Sequence, residues 1–201
     1  NDTDHPLIIK VASIQSARVQ VYFIDNDDYF GKRLIERDEA GVEYEDNGER
    51  AIFFARGVLE TVKKLRWVPD IIHCQGWMSG VVPFYIKTAY SDEPSFAETK
   101  VVTSLYNKSI EKDFGSDFKQ FMEFRDAKPE LLTDYKDTFD FDELGKLAID
   151  YSDGVIQAVP DASKVLSDYA AAKNKPLLGY QEDFGDAYEA FYESLYADEA
   201  K

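Results

Sequence analysis

The sequence predicts an α/β domain built on a parallel β-sheet with helices on both faces. Short apolar runs typical of buried strands recur along the chain, and stretches with helical periodicity separate them. Strands that alternate with helices form parallel sheets connected by right-handed crossovers. The length of 201 residues, of which 44% are hydrophobic, is enough to bury the core of one large domain.

The first predicted elements are two strands and a long amphipathic helix. The strands cover residues 7–12 and 18–25, and the short spacer between them fits a hairpin. A helix over residues 47–66 has apolar side chains at helical spacing. Asp46 and Glu49 form the pattern of a capping box, so we expect the Asp46 carboxylate to accept from the first free N–H groups of this helix.

The later elements are shorter. Residues 70–73 form an apolar strand that leads into an apolar helix over residues 77–90, which Pro83 should kink or delay. The further predicted strands are 100–105, 154–159 and 176–180. The further predicted helices are 118–125, 129–134, 139–150, one that begins at Pro160, and 186–197. We expect the strands near 70–73, 101–105 and 155–159 to be parallel neighbours, with the helices 47–66 and 77–90 packed on them.

The composition argues against several kinds of partner. The net charge of -16 and the pI of about 4.5 disfavour nucleic acid and anionic membranes, since phosphate-rich partners need Lys and Arg. Residues 181–200 hold seven acidic residues and no basic ones, which indicates a solvated helix face or an interaction surface. The single cysteine excludes an internal disulfide and fits a reduced cytoplasm, and no apolar run is long enough for a transmembrane helix. His5 and His73 lack ligand spacing, so we expect no metal. The sequence has neither a Walker-type phosphate loop nor a Gly-x-Gly-x-x-Gly motif, and we expect no cofactor.

The stretch from His73 to Trp77 is the best candidate for a functional site. Ligands of parallel α/β sheets bind beyond the carboxyl ends of the strands, and these residues follow a predicted strand. Tyr106 and Asn107 follow the next one. The other interpretation is a strand-end histidine with satisfied hydrogen bonds and a buried tryptophan. Cys74 has no evident base partner and is expected to be a buried, inert thiol.

Several spaced motifs occur in a fixed order through the first half of the chain. They are Phe23-Ile24-Asp25, Tyr29-Phe30, Asp46-Asn47-x-x-Arg50, Pro69-Asp70-Ile-Ile-His73-x-Gln75-Gly76-Trp77-x-x-Gly80 and Val-Val-Thr-Ser-Leu-Tyr106-Asn107. This set resembles the N-terminal half of bacterial glycogen and starch synthases. The resemblance covers residues 18–107 well and residues 139–170 more loosely, where Tyr151-Ser152-Asp153-Gly154-Val155 and Val159-Pro160 are similar to a later strand–helix unit of that family.

The resemblance implies the N-terminal lobe of a GT-B glycosyltransferase, with a Rossmann-like sheet and a cleft shared with a second lobe. It implies transfer of glucose from ADP-glucose to an α-1,4-glucan, with retention of configuration and without a metal. The glucan and the nucleotide sugar are then the ligands, and a partner lobe or a second copy of the chain is the protein partner. The implied substrate-binding residues are Asp46, Asn47, Arg50, His73, Gln75, Trp77, Tyr106 and Asn107.

The chain departs from that family at three places. Gln75 and Gly76 stand where the family usually has His and Asp, and Tyr106 stands where it has His. A neutral amide can hydrogen-bond a sugar but cannot take a proton. The glycine-rich donor loop and the C-terminal lobe of the family have no counterpart in residues 1–201, so we expect one N-terminal domain that lacks its first strand–helix unit. Two functions stay open: a glycosyltransferase domain that needs a partner lobe, and a non-catalytic glucan-binding or regulatory module, with no catalytic residue assigned.

Overall fold

The computed structural model describes residues 5–197, which form an α/β domain and a separate β-hairpin. The strands are β1 (Ile8–Ile14), β2 (Val19–Asp25), β3 (Ile71–Gln75), β4 (Lys100–Leu105), β5 (Gly154–Gln157) and β6 (Leu177–Leu178). The α-helices are α1 (Asn47–Lys64), α2 (Val82–Lys87), α3 (Phe118–Phe121), α4 (Phe141–Asp150), α5 (Lys164–Ala172) and α6 (Gly185–Ala197). Residues 198–200 of the acidic tail lie outside the described residues.

The main sheet is parallel with the strand order β3-β4-β5-β6. Ile71 pairs with Lys100 at the start of β3, and Gln75 pairs with Ser104 at its end. Val102 pairs with Gly154 in the next ladder. The prediction that these three strands are parallel neighbours is therefore confirmed.

Helices cover both faces of this sheet. One face packs against α1, α2, α4 and α5 and forms the larger core, in which Leu59, Phe84, Val101, Leu147 and Val155 are fully buried. The other face packs against α6, through a smaller cluster of Val102, Ile156 and Leu195 with Phe191 and Tyr192 beside them. The side chains of β3 alternate between the faces, so that Cys74 points into the larger core and His73 points toward α6.

The strands β1 and β2 form an antiparallel hairpin that is not part of the main sheet. Several of its apolar side chains are exposed, among them Val11 and Phe23. The hairpin touches α1 where the side chains of Ile24 and Leu7 lie against Gly57.

Two local predictions were wrong, and a third was correct in part. Asp46 does not cap α1, because its carboxylate binds the guanidinium of Arg33 instead. The helix expected from Pro160 begins at Lys164, because the side chain of Ser163 accepts from the backbone N–H of Leu166 there. The helix expected over residues 77–90 is shorter than predicted, a 3₁₀ turn over Trp77–Ser79 followed by α2. The delayed start expected from Pro83 is confirmed, because α2 begins at Val82 with Pro83 in its first turn.

Candidate functional site

The chain turns sharply at the carboxyl end of β3, and Gly76 makes the turn. Its backbone has φ 77° and ψ 163°, a conformation that is essentially restricted to glycine. The hydroxyl of Ser79 donates to the carbonyl oxygens of Gln75 at 3.1 Å and Gly76 at 2.8 Å. These bonds close the turn, so that Gln75 and Trp77 are held at the edge of the sheet.

A cavity of about 420 Å³ opens at this edge. Four of the predicted site residues line it: Gln75, Trp77, Tyr106 and Asn107. Its inner wall is apolar and comes from Phe141, Leu144 and Ala148 of α4 and Leu166 of α5. Polar groups at the opening and an apolar wall behind them are the usual composition of a small-molecule site.

The indole of Trp77 has a fixed orientation. Its Nε1–H donates to Oε2 of Glu36 at 2.8 Å, and its ring stacks on Phe114 with centroids 5.9 Å apart and an interplanar angle of 29°. Glu36 also lines the cavity, and among the described lining residues it supplies the only carboxylate. Sequence reasoning missed Glu36, because it lies in a polar stretch without periodicity and only the fold brings it to Trp77.

The remaining polar groups at the opening are neutral. The hydroxyl of Tyr106 donates to Oε1 of Gln75 at 3.1 Å, and burial raises the pKa of Tyr106. The amide of Asn107 donates to Oδ2 of Asp161 at 3.1 Å. Burial raises the pKa of Cys74 to about 12, so its thiol is protonated at neutral pH and agrees with the expected inert cysteine.

Arg50 and Asn47 lie behind the cavity and do not line it. The guanidinium of Arg50 is buried and donates to four oxygen atoms, which are the carbonyl oxygens of Tyr29, Leu34 and Ile35 and Oδ1 of Asn47, at 2.5–3.0 Å. Asn47 in turn donates to the carbonyl oxygen of Glu36 at 3.0 Å. Both side chains thus fix the backbone of the loop that carries Glu36.

Asp46 holds the same loop at a different point. Its two carboxylate oxygens accept from Arg33 at 2.5 and 2.7 Å, in a bidentate ion pair that is mostly shielded from solvent. The three side chains of the motif Asp46-Asn47-x-x-Arg50 therefore fix the conformation of the loop of residues 26–46. Two residues of this loop, Ile35 and Glu36, line the cavity.

His73 lies on the α6 face of the sheet, away from the cavity. Its Nδ1 is 2.6 Å from the hydroxyl of Tyr192, and its Nε2 is 2.5 Å from the hydroxyl of Ser104. Burial lowers the pKa of His73. The arrangement matches the interpretation of a strand-end histidine with satisfied hydrogen bonds.

Two further observations concern membrane-spanning helices and metal sites. Within residues 5–197, no helix combines the length and the apolar character needed to cross a bilayer. In the same part of the chain, no group of three or more His, Cys, Asp or Glu side chains is arranged to hold a metal ion. The site as described offers amides, hydroxyls, one indole and one carboxylate.

These features define an α/β lobe with an open ligand cavity at the carboxyl edge of its parallel sheet. Residues 2–170 match the family model described as the starch synthase catalytic domain. The chain belongs to that family.

Individual relatives agree with this assignment. The chain is 38% identical over 107 residues to a glycogen synthase of Chlorobium limicola, a match that covers 53% of this chain and 22% of the relative. It is 32% identical over 162 residues to a glycogen synthase of Chlorobaculum parvum, covering 80% of this chain and 32% of the relative. The chain thus matches only about a fifth to a third of the length of these curated relatives.

A solved structure agrees on the fold. The catalytic domain of Starch Synthase IV from Arabidopsis thaliana, bound to ADP and acarbose, superposes with a TM-score of 0.68 at 17% identity. The superposition covers 88% of this chain and 37% of the plant protein. The fold is therefore that of one part of a GT-B starch synthase catalytic domain.

Proposed function

We propose that this chain is the N-terminal lobe of a glycogen or starch synthase-type glycosyltransferase, that it binds the glucan, and that it transfers glucose only together with a second lobe. The observation that carries the proposal is the cavity at the ends of β3 and β4. There Gln75, Trp77, Tyr106 and Asn107 meet around one opening in a chain of the starch synthase family. The proposed ligand is a glucosyl unit of an α-1,4-glucan.

The chemistry of the opening supports a neutral, polyhydroxylated ligand. Amides and hydroxyls both donate and accept hydrogen bonds, as sugar hydroxyls require. The indole of Trp77 offers an apolar ring beside them, and Phe114 and Glu36 hold that ring in place. Because these partners fix the ring, the site loses little conformational entropy when a sugar binds.

The nucleotide part of the donor needs groups that this cavity lacks. The described residues that line it include no Lys or Arg, and the chain carries a net charge of -16. A dianionic pyrophosphate needs oriented donors or cations to stabilise the leaving charge, and one such donor contributes about a hundredfold or more in rate. We therefore expect ADP-glucose to be held mainly by a partner lobe, on another chain or in a longer polypeptide.

A non-catalytic glucan-binding module is the second candidate function. It is favoured by Gln75 and Gly76 at the end of β3, where the sequence offers no group able to exchange a proton at neutral pH. In this case the cavity binds glucan and the chain regulates or localises a separate enzyme. We expect either form to act in the cytoplasm, which fractionation of cells expressing the tagged chain would test.

Two assays on the purified 201-residue chain separate these functions. The first measures cosedimentation with glycogen, and the second measures incorporation of labelled glucose from ADP-glucose into glycogen by chain purified from a host that lacks its own synthase. We expect binding without incorporation for the chain alone, and incorporation on addition of a partner lobe if the chain is a transferase component. Incorporation by the chain alone that disappears in Gln75→Ala would contradict the need for a second lobe, and absence of glycogen binding would contradict both candidates.

A further inference from the structure

A group of aromatic side chains lies where α6 approaches the carboxyl edge of the sheet. We call Tyr106, Tyr180, Phe184 and Tyr188 the α6 edge cluster. The rings of Phe184 and Tyr188 have centroids 5.4 Å apart at an angle of 47°, and Tyr188 contacts the His73 ring with centroids 5.8 Å apart. Tyr106 follows β4 directly and Tyr180 lies two residues after β6, so both lie at the carboxyl edge of the same parallel sheet.

Two rings of the α6 edge cluster are open to solvent. Phe184 is 60% exposed and Tyr180 is 42% exposed. The packing of α6 on the sheet does not depend on them, because Phe191, Tyr192 and Leu195 contact Val102 and Ile156 of the sheet. The exposed ring of Phe184 therefore has no evident role in holding α6 on the sheet, and exposed apolar side chains of this kind are typical of binding surfaces.

The α6 edge cluster is continuous with the cavity. Tyr106 lines the cavity, and Tyr188 contacts the ring of His73, whose Nε2 is hydrogen-bonded to Ser104, another lining residue. The hydroxyl of Tyr106 donates to Gln75, a lining residue that is itself exposed. A ligand longer than one sugar unit can thus leave the opening of the cavity across Tyr106 and reach the exposed rings.

The residues around the α6 edge cluster indicate which kind of ligand it can bind. Exposed acidic residues flank the exposed rings: Glu182, Asp183, Asp186 and Glu189. They disfavour an anionic ligand such as a nucleotide phosphate. Aromatic rings that carry a polar tip suit amphipathic partners, and carboxylates, tyrosine hydroxyls and the Gln75 amide accept or donate hydrogen bonds to hydroxyl groups. A neutral sugar chain meets all of these conditions.

We propose that the α6 edge cluster is a second carbohydrate-contact surface, which binds sugar units of a glucan beyond the unit held in the cavity. The proposal rests on the proposed function, because it assumes that the cavity holds glucan. The surface depends on Tyr180, Phe184 and Tyr188, which follow the residues 2–170 that the family model covers. It is therefore a feature that the family match does not assign.

The test compares ligands of different length on the full chain. Isothermal titration with maltose and with maltoheptaose is carried out on the wild-type chain, on Phe184→Ala and on Tyr180→Ala. The control is Phe23→Ala, which removes a ring of intermediate exposure (53%) from the separate hairpin. We expect each cluster variant to weaken maltoheptaose binding about threefold to tenfold, the usual worth of one aromatic contact, with maltose binding unchanged.

The outcomes separate this proposal from the proposed function. If the wild-type chain binds neither sugar, the proposed function fails and the second surface fails with it. If the wild-type chain binds maltoheptaose and both cluster variants bind it equally well, only the second surface fails. An equal loss in Phe23→Ala would also overturn it.

A basic protein segment is the other occupant that the acidic surroundings would accept. Titration with a lysine decapeptide tests it. Binding of the peptide that weakens in Phe184→Ala, while maltoheptaose binding does not, would overturn the carbohydrate assignment. Maltoheptaose affinity that is unchanged between low and high salt would support it, because binding of a neutral ligand involves no screened charges.

Discussion

Two side chains, the buried Arg50 and the part-buried His73, each hold one segment of the chain, the loop of residues 26–46 and the helix α6, and they differ in the hydrogen bonds that they make. Arg50 is a permanent cation that donates to three backbone carbonyls and one amide oxygen, and it fixes residues 26–46. His73 shares hydrogen bonds with two hydroxyls and holds α6 against the sheet. The loop of residues 26–46 is thus held by Arg50, whose charge does not change with pH. The helix α6 is held in part by His73, whose charge can change.

Arg50→Ala should have the largest effect. It empties a buried site and leaves three carbonyl oxygens, one buried and two part-buried, without their donor, so we expect a loss of roughly 4 kcal/mol in the free energy of unfolding, measured by urea denaturation. Hydrogen exchange should rise across residues 26–46. Arg50→Lys serves as the matched variant if alanine prevents folding, because it keeps the charge and loses the planar fork. Unchanged exchange in the loop of either variant would show that Arg50 does not hold it.

His73→Phe should have a smaller and differently placed effect. Loss of two hydrogen bonds at a part-buried site predicts a decrease of about 1–2 kcal/mol in the free energy of unfolding. Exchange should rise in α6 and stay unchanged in residues 26–46. Tyr192→Phe removes only the bond to Nδ1 and is expected to give about half of that decrease. Faster hydrogen exchange in residues 26–46 rather than in α6 would contradict the assignment of His73 as the residue that holds α6.

The two anchors should also differ in pH dependence. Burial lowers the pKa of His73 below its ordinary value of 6.5, so the unfolded chain binds the proton more tightly than the folded chain. This contribution to stability is complete above pH 6.5 and is lost as the pH falls from there to the folded-state pKa. The prediction is measured by urea midpoints between about pH 8 and about pH 5. His73→Gln should remove that part of the pH dependence, and an identical pH profile in the variant would refute the assignment.

Trp77→Phe should have the smallest effect on stability. The variant keeps an aromatic ring next to Phe114 but removes the donor to Glu36, so we expect a loss of about 1 kcal/mol or less in the free energy of unfolding. Glucan affinity should fall severalfold, because the ring is no longer held. Trp67→Phe is the control, since Trp67 packs edge-on against Tyr22 and does not line the cavity. Equal losses of glucan affinity in Trp77→Phe and Trp67→Phe would show that Trp77 does not belong to the glucan site.

Periodicity was sufficient to predict the parallel sheet and the positions of Gln75, Trp77, Tyr106 and Asn107. A polar residue that follows a buried strand must lie at its carboxyl edge, and neighbouring parallel strands bring such residues together. The pattern of β2 predicts a strand equally well, yet it could not show that β2 pairs only with β1 and leaves Phe23 exposed. Alternation of apolar and polar residues predicts a strand, but it does not predict which strands lie next to it.

The bonding partners of Arg50, His73 and Glu36 could not be predicted for a different reason. Arg50 binds mainly backbone carbonyls, which every residue has, so its partners leave no pattern in the sequence. His73 meets Tyr192 across 119 residues of chain. The capping box at Asp46 failed because a bidentate arginine pair competes with the helix N–H groups for the same carboxylate, and such charge-assisted bonds are the stronger ones.

The most direct test of the account uses the only two tryptophans of the chain, Trp67 and Trp77. Titration of the ¹⁵N-labelled chain with maltoheptaose is followed through the two indole Nε1–H resonances by NMR. Because Trp77 lines the cavity and donates to Glu36, we expect its resonance to shift progressively to saturation, while that of Trp67 stays in place. A shift of Trp67 alone, or no shift of either indole while glucan binds, would contradict the claim that this cavity is the glucan site.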